Sequence, residues 1–278
     1  MVRESGGEDA AREDIEAALE EIEFLALSAN RVAVLRLLAD GPRTRSDLAS
    51  ETGASQATLG RILGDFEERS WIERRGGEYA ATATGRLVAR GFGDLLDIFA
   101  TERSLRDIVA YLPADELTFD LRQLADATVV TPSGTRPDAP LQRLLDMEGE
   151  ADEIRAFSHA FNDRSLSLTA RRVREDDLTF RGVFSQGAID ALASDDELRR
   201  TLASMLDAEN ASIRVHADGI PLAGSVVDDD VHLLVRDDAG VLRASIDTDD
   251  AEVREWAAET FDAYWEAATP IDRADLLS

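Results

Sequence analysis

Cysteine is absent from the 278 residues, which excludes disulfide frameworks, thiolate metal sites and cysteine nucleophiles. Lysine is absent as well, so all thirty basic residues are arginine, set against 57 acidic ones for a net charge of -27. Histidine is scarce: His159, His216 and His232 stand far apart. No apolar run is long enough for a membrane span, which takes about 18 or more residues. The opening MVRESGGEDAAREDIEAALEE is acidic where a secretory signal would be basic and then apolar. The expected location is the cytoplasm, with no membrane partner.

Strong self-repulsion is tolerable where salt screens it, over about 3 Å at 1 M ionic strength. The arginine-only, acid-rich composition therefore points to a chain made for the salt-filled cytoplasm of an extreme halophile; a GC-rich genome with a generally acidic product is the plainer alternative. In both cases the global charge reports the solvent, and partners have to be argued locally. The hydrophobic content of 44% is enough for one large domain or two ordinary ones.

Apolar residues at helical spacing (Ile15, Ala18, Leu19, Ile22, Leu25, Ala26) predict an amphipathic helix over 10–28, and Val32, Leu35 and Leu38 a second over 30–39, stopped by Gly41-Pro42. A short third helix over 44–51 has Thr44 as N-cap and Asp47 three residues on, a variant of the capping box. Gly53 ends it. A fourth helix from Ser55 to about Arg69 turns Leu59, Ile62, Leu63 and Phe66 inward. WIERR, GG and EYAAT then read as a hairpin. Thr84 is expected to cap a long helix to about Tyr111, with Gly91 and Gly93 as places where it could break.

Three helices with a tight turn at Thr52-Gly53-Ala54, then a hairpin, is the arrangement that puts a helix N-terminus into a DNA major groove. Ser55, Gln56, Thr58 and Arg61 are left to face outward. Arginine can bond guanine O6 and N7, and glutamine adenine N6 and N7, while hydroxyls and free helix N–H groups suit phosphate. Between Gly41 and Arg90, eight Arg (43, 45, 61, 69, 74, 75, 86, 90) meet seven acids, so the negative charge lies elsewhere. Arg43, Thr44 and Arg45 at the third helix, and Arg74 and Arg75 at the hairpin tip, would face the DNA backbone. In multimolar salt few ionic contacts are expected, with more reliance on shape and hydrogen bonds.

The stretch RTRSDLASETGASQATLGRILGDFEERSWIERRGGEYAATATGRLVA resembles the winged helix-turn-helix domain of archaeal transcriptional regulators, with Ser70 where that family usually has Gly. A winged helix used only for protein contacts is the alternative.

Beyond Pro113 short β-rich runs (128–131, 153–157, 179–184) alternate with helical stretches (141–147, 163–175, 195–209), which predicts an α/β domain. Strands SIRVHA, GSVVDD, VHLLVRD and VLRASID follow, antiparallel by their turn signals, and a helix over 249–268 closes the chain; 131–140 reads as a loop. RAFSHAF, TFRGVFSQGAIDAL and IRVHADGIPLAGSVVDDDVHLLV are similar to the C-terminal domain of archaeal methanogenesis-type regulators. That resemblance implies a regulatory domain related to the phospholipase-D-like effector part of the TrmB sugar regulators. Without lysine it lacks the HxK pair of phospholipase D chemistry, so a binding domain, not an enzyme, is expected, with no cofactor. Leu222 stands where relatives often place an aromatic.

Ligands usually sit at the strand ends of an α/β sheet. Ser158 and His159, Ser185 and Gln186, and His216 and Asp218 each follow a comparable strand, and are the candidate effector residues; ordinary strand-end caps are the alternative. A metal site from the three histidines with Asp228 to Asp230 is conceivable on donor chemistry, but nothing in the spacing selects it. The Arg171, Arg172 and Arg174 cluster reads as a solvated face or an anion clamp.

The expected organisation is α+β / α/β: a winged helix-turn-helix DNA-binding domain over 1–83, a linker and dimerisation helix over 84–117, and an α/β effector-sensing domain over 118–278. The apolar stripe Leu87, Leu95, Leu96, Ile98, Phe99 and Ile108 would build a homodimer on double-stranded operator DNA, or pack on the second domain. The expected function is a dimeric transcriptional regulator with a small-molecule effector. The rivals are a DNA-targeted phosphodiester hydrolase and an interaction adaptor.

Overall fold

A computed structural model describes residues 5–277, and the chain divides into two compact units, Met1–Asp97 and Ile98–Ser278. In the first, α1 (Ser5–Ala26), α2 (Ala29–Asp40), a short strand β1 (Arg43–Thr44), α3 (Arg45–Thr52), α4 (Gln56–Glu68), β2 (Ile72–Arg75) and β3 (Glu78–Ala81) lead into α5 (Ala83–Leu105). The hairpin strands and β1 form one sheet in the order β1-β3-β2. Two residues carry no periodicity, so β1 leaves no signal in the sequence.

The caps explain the boundaries. Thr44 Oγ1 accepts from the Asp47 N–H at 3.2 Å and Asp47 Oδ2 accepts from the Thr44 N–H at 2.9 Å, closing the capping box. Gly53 takes φ +68°, the left-handed conformation that ends α3 and sets the turn. The end of α4 is a Schellman motif: Trp71 N–H donates to Phe66 O and Ser70 N–H to Glu67 O, both at 3.0 Å, with Trp71 packed on Phe66. Ser70 sits at φ +58°, so this is a glycine's conformation held by a serine. Gly76 and Gly77, both at positive φ, turn the wing. Leu59, Ile62, Leu63 and Phe66 are buried with Leu35, Leu38, Leu48 and Trp71.

Three expectations for the long helix are corrected. Thr82, not Thr84, caps α5, its Oγ1 accepting from Gly85 N–H at 3.0 Å and its carbonyl from Arg86 N–H at 2.9 Å. The helix runs unbroken through Gly91 and Gly93, because the intervening Phe92 is anchored in the core. It stops at Leu105 rather than Tyr111, and a 3-10 turn follows at Val109–Tyr111. Leu105, Ile108 and Leu112 are buried in the core of the second unit, and that burial bends the chain away from the helix axis. Ile15, Leu19 and Ile22 of α1 and Leu87 and Phe99 of α5 remain exposed.

The second unit comprises β4 (Thr128–Val130), α6 (Ala139–Glu150), β5 (Glu153–Ser158), α7 (Asp163–Arg174), β6 (Thr179–Ser185), α8 (Gln186–Ala193), α9 (Asp196–Leu206), β7 (Ala211–His216), β8 (Ala223–Val227), β9 (Asp230–Arg236), β10 (Leu242–Thr248), α10 (Ala251–Ala267), β11 (Thr269–Pro270) and α11 (Arg273–Leu277). The eight strands run in the order β11-β7-β6-β5-β8-β9-β10-β4. Those in the βαβ segment, β5, β6 and β7, are parallel; the later hairpins are antiparallel, as their turns predict. The loop expected over 131–140 is shorter, since Pro140 occupies the first turn of α6, where its missing N–H costs nothing. The helix α8 was not expected; Ser185 caps it.

Side chains alternate across the sheet, so each strand feeds two cores. Phe157, Val183, Val231, Leu233, Val235 and Ile246 pack with Val253, Trp256 and Phe261 of α10. Ile154, Phe180, Phe184 and Ile213 pack on the opposite face with Leu166, Ala170, Ile189 and Leu202 of α7, α8 and α9. Among the described residues no helix is long and apolar enough to cross a membrane.

Two substitutions test the first unit. Ser70→Gly relieves the left-handed serine and should raise stability by about 0.5–1 kcal/mol. Gly85→Ala would place a Cβ 1.8 Å from the Trp71 carbonyl oxygen and should cost about 2–3 kcal/mol. Thermal unfolding of both variants checks the signs.

Candidate functional site

The first candidate surface is the start of α4. Ser55 and Thr58 are spent on its cap: Ser55 Oγ accepts from the Thr58 N–H at 3.1 Å and its oxygen lies 2.9 Å from Thr58 Oγ1. Gln56 and Arg61 are exposed, and neither side chain has a hydrogen bond or ion pair among the described residues. Arg45 is positioned differently from its expected outward role. Its guanidinium donates to the Gln56 carbonyl and lies over Gly60, where a Cβ would come within 2.7 Å, so it ties α3 to α4. Arg43 pairs with Glu51 at 3.2 Å, and Arg75 with Glu73 at 2.7 Å. Arg74 lies 5.5 Å from the Tyr79 ring centroid. The wing and turn cations are thus partnered within the unit, while α4 leaves Gln56 and Arg61 exposed and open.

In the second unit the candidate effector residues sit at neighbouring strand ends, Ser158 opposite Phe184 and Ser185 opposite His216, but on different sides. Ser158 shares the face of Ile154 and lines a cavity, its hydroxyl bonded to the Ala160 N–H and carbonyl. Ser185 and His216 face the α10 side. Ser185 Oγ accepts from the Ala188 N–H at 3.2 Å, Gln186 donates to Asp190 at 2.8 Å, and His216 Nδ1 lies 3.0 Å from the Gly219 carbonyl with its ring edge on Tyr264. Asp218 is exposed. His159 is half-buried; burial, then the charge of Arg236, holds its imidazole below the usual range. The three histidines do not converge: among the described residues no group of three His, Cys, Asp or Glu could hold a metal ion. Asp228 accepts from the Asp152 and Glu153 backbone N–H groups. Arg172 donates to the Glu148 and Ala151 carbonyls, a structural role.

The cavity itself, of about 80 Å³, lies between the sheet and α6 and α7. Apolar walls come from Leu144, Phe161, Leu166, Phe180, Phe184 and Ile213, and polar groups from Glu148, Ser165, Thr169, Ser225 and His232. His232 and Asp247 are cross-strand partners on β9 and β10, joined from His232 Nδ1 to Asp247 Oδ1, while Arg143 of α6 donates to Asp247 Oδ2 at 2.6 Å. Burial alone would push the Asp247 carboxyl up, but His232 and then Arg143 bring it below its ordinary value. Glu148 accepts the Ser165 hydroxyl at 2.7 Å, and burial pushes it up to about 7 against that bond. Among the described residues, Glu148 Oε2, His232 Nε2 and Arg236 Nε of this lining have no hydrogen-bond partner. Sequence reading missed Glu148, Ser165 and Asp247, and weighed His232 only for a metal site. The available signal was Glu148 on the buried stripe of its helix, three and four residues after Leu145 and Leu144.

Two family models match this chain: the HVO_A0261 N-terminal domain over residues 19–104, and the middle domain of the methanogenesis regulatory protein FilR1 over residues 137–267. Each match covers less than half of the chain, so the likeness is to the FilR1 protein over the second unit and to the HVO_A0261 domain over the first. The FilR1-type match runs from α6 to the end of α10 and takes in every residue of the cavity; the other match takes in α2 to α4 and the wing. Among solved structures, the chain is similar to TrmBL2, an archaeal chromatin protein described as showing a novel mode of DNA binding, at 14% identity, over 90% of this chain and 98% of that one, with TM-score 0.40. It is also similar to Nuc, a phospholipase D family member from Salmonella typhimurium, at 11% identity, over 52% and 99% of the two chains, with TM-score 0.42. A MarR/EmrR family transcriptional regulator from Acinetobacter sp. ADP1 is 17% identical over 45% and 96%, with TM-score 0.26.

Burial of Glu148 makes the stability of the second unit depend on pH. The folded state holds the proton to about 7 while the unfolded chain releases it near 4.5, so stability is lost as pH rises between those values and is level above them. Glu148→Gln removes the penalty, and should raise stability by roughly 3 kcal/mol at pH 8 with little change at pH 4. Denaturant unfolding of both proteins across that range measures it.

Proposed function

We propose that this regulator binds operator DNA sequence-specifically as a homodimer in the cytoplasm of a halophile, under control of a small-molecule effector. In this reading residues 1–83 read DNA, 84–117 connect and dimerise, and 118–278 sense the effector. The observation that carries it is the start of α4, whose cap consumes Ser55 and Thr58 and leaves Gln56 and Arg61 exposed and unpaired on a helix-turn-helix frame. Arg61 suits guanine and Gln56 adenine in the major groove. Arg43, Arg74 and Arg75 lie where phosphates would come, and the first and last must exchange Glu51 and Glu73 for them. Exposed Ile15 and Leu19 on α1 and Leu87 and Phe99 on α5 support a dimer. The absence of lysine supports a binding role over phospholipase D chemistry. Effector control asks for a coupling of about 1–3 kcal/mol between the two sites.

The test is capture and sequencing of genomic fragments in molar KCl. The wild-type protein should enrich a few promoter fragments with a near-palindromic motif, and Arg61→Glu should lose them while unfolding at the same temperature. Equal capture by both proteins, or enrichment by neither, overturns the reading. Arg45→Ala, by contrast, should lower stability, because its guanidinium buttresses α4.

A further inference from the structure

The cavity of the second unit carries a demand that the chain itself leaves unmet. Glu148, His232 and Arg236 all line it, and Glu148 Oε2, His232 Nε2 and Arg236 Nε are buried without a hydrogen-bond partner among the described residues. The neighbours of Glu148 and His232 engage only the other polar atom of each side chain. Asp247, kept below its ordinary range by His232 and then Arg143, engages His232 Nδ1 and leaves Nε2 as the free ring nitrogen. Glu148 has only the Ser165 hydroxyl on its other oxygen, and no guanidinium acts on it. Arg236, which also lines the cavity, donates to the Gly240 carbonyl at 2.9 Å, and its charge acts on His159 instead. The lining therefore offers Glu148, when it ionises, no cationic partner, and the unpaired Nε–H of Arg236 reaches neither Glu148 nor His232 among the described residues. Apolar walls from Leu144, Phe161, Phe180 and Phe184 surround the rest. The space, about 80 Å³, is that of two or three waters at about 30 Å³ each, or one compact organic molecule.

We propose that this cavity binds a compact primary amine as its ammonium ion, with N–H donors on Glu148 Oε2 and His232 Nε2 and its alkyl body against the phenylalanine wall. This rests on the reading of the second unit as an effector domain, and names the chemistry of the effector. Water would satisfy both acceptors but brings no charge; an ammonium ion supplies donors and charge together. Because burial holds the Glu148 proton to about 7, a bound ammonium displaces it. Affinity should thus rise about tenfold from pH 6 to pH 8 and level off above.

The test is an NMR titration of the full-length ¹⁵N-labelled protein with propylammonium, propan-1-ol and propionate. Propylammonium should shift the His232 ring nitrogen saturably, with that pH dependence, and the alcohol and the acid should not. Glu148→Gln, which keeps the Ser165 contact and the fold, should weaken binding at least about tenfold. Equal binding of amine and alcohol, no saturable shift, or unchanged affinity in the variant overturns the proposal. DNA binding is read separately. Saturable amine binding that leaves operator affinity unchanged supports the site and overturns effector control; absent amine binding with intact operator capture overturns the site alone.

Discussion

The alternation of side chains across the eight-stranded sheet governs the second unit, because every strand must satisfy two faces at once. On β9, Val231, Leu233 and Val235 go to the α10 core, which forces His232, Leu234 and Arg236 to the other face. On β10 the same rule brings Asp247 beside His232. A histidine and an aspartate in an apolar interior are tolerable only together, with Arg143 closing the pair from α6. That polar ladder ties α6 to the sheet, and the cavity lies beside it, lined from the sheet, α6 and α7. A one-residue slip of β9 would put His232 into the α10 core, so register and cavity stand or fall together.

The first unit depends on helix ends more than on strand faces. The capping box at Thr44, the left-handed Gly53 and the cap at Ser55 fix three successive chain directions within a dozen residues, and so fix how α3 presents α4. Arg45 adds a guanidinium bridge to the Gln56 carbonyl across that turn. The positive charge of this stretch is largely used inside it, which accords with a protein that does not rely on long-range attraction to a polyanion. At the start of α4 an amide and a guanidinium, Gln56 and Arg61, remain outward.

Much of the fold was legible along the chain. Thr44 with Asp47, Gly53, Ser55, Gly76-Gly77 and the stripe Leu59, Ile62, Leu63, Phe66 act through neighbours three or four residues away, and such contacts are written in sequence spacing. The long helix was misread at both ends for the opposite reason. Thr82 prevails over Thr84 as its cap because the Thr82 N–H and hydroxyl are also tied to Trp71 across the hairpin, and Leu105 ends it because distant core residues take Ile108 and Leu112.

The candidate ligand residues show the same division more sharply. Counting strand ends found Ser158, which lines the cavity, but also Ser185 and His216, which strand parity sends to the other face. Glu148, Ser165, His232 and Asp247 lie up to 99 positions apart in the chain and carry no shared spacing. By itself the sequence determined the chemical inventory and the local geometry: no thiol, no lysine, a wound helix-turn-helix and a βαβ segment followed by hairpins. Only the tertiary structure decided which polar groups are buried together and left unsatisfied, because burial and hydrogen-bond partnership are properties of long-range packing.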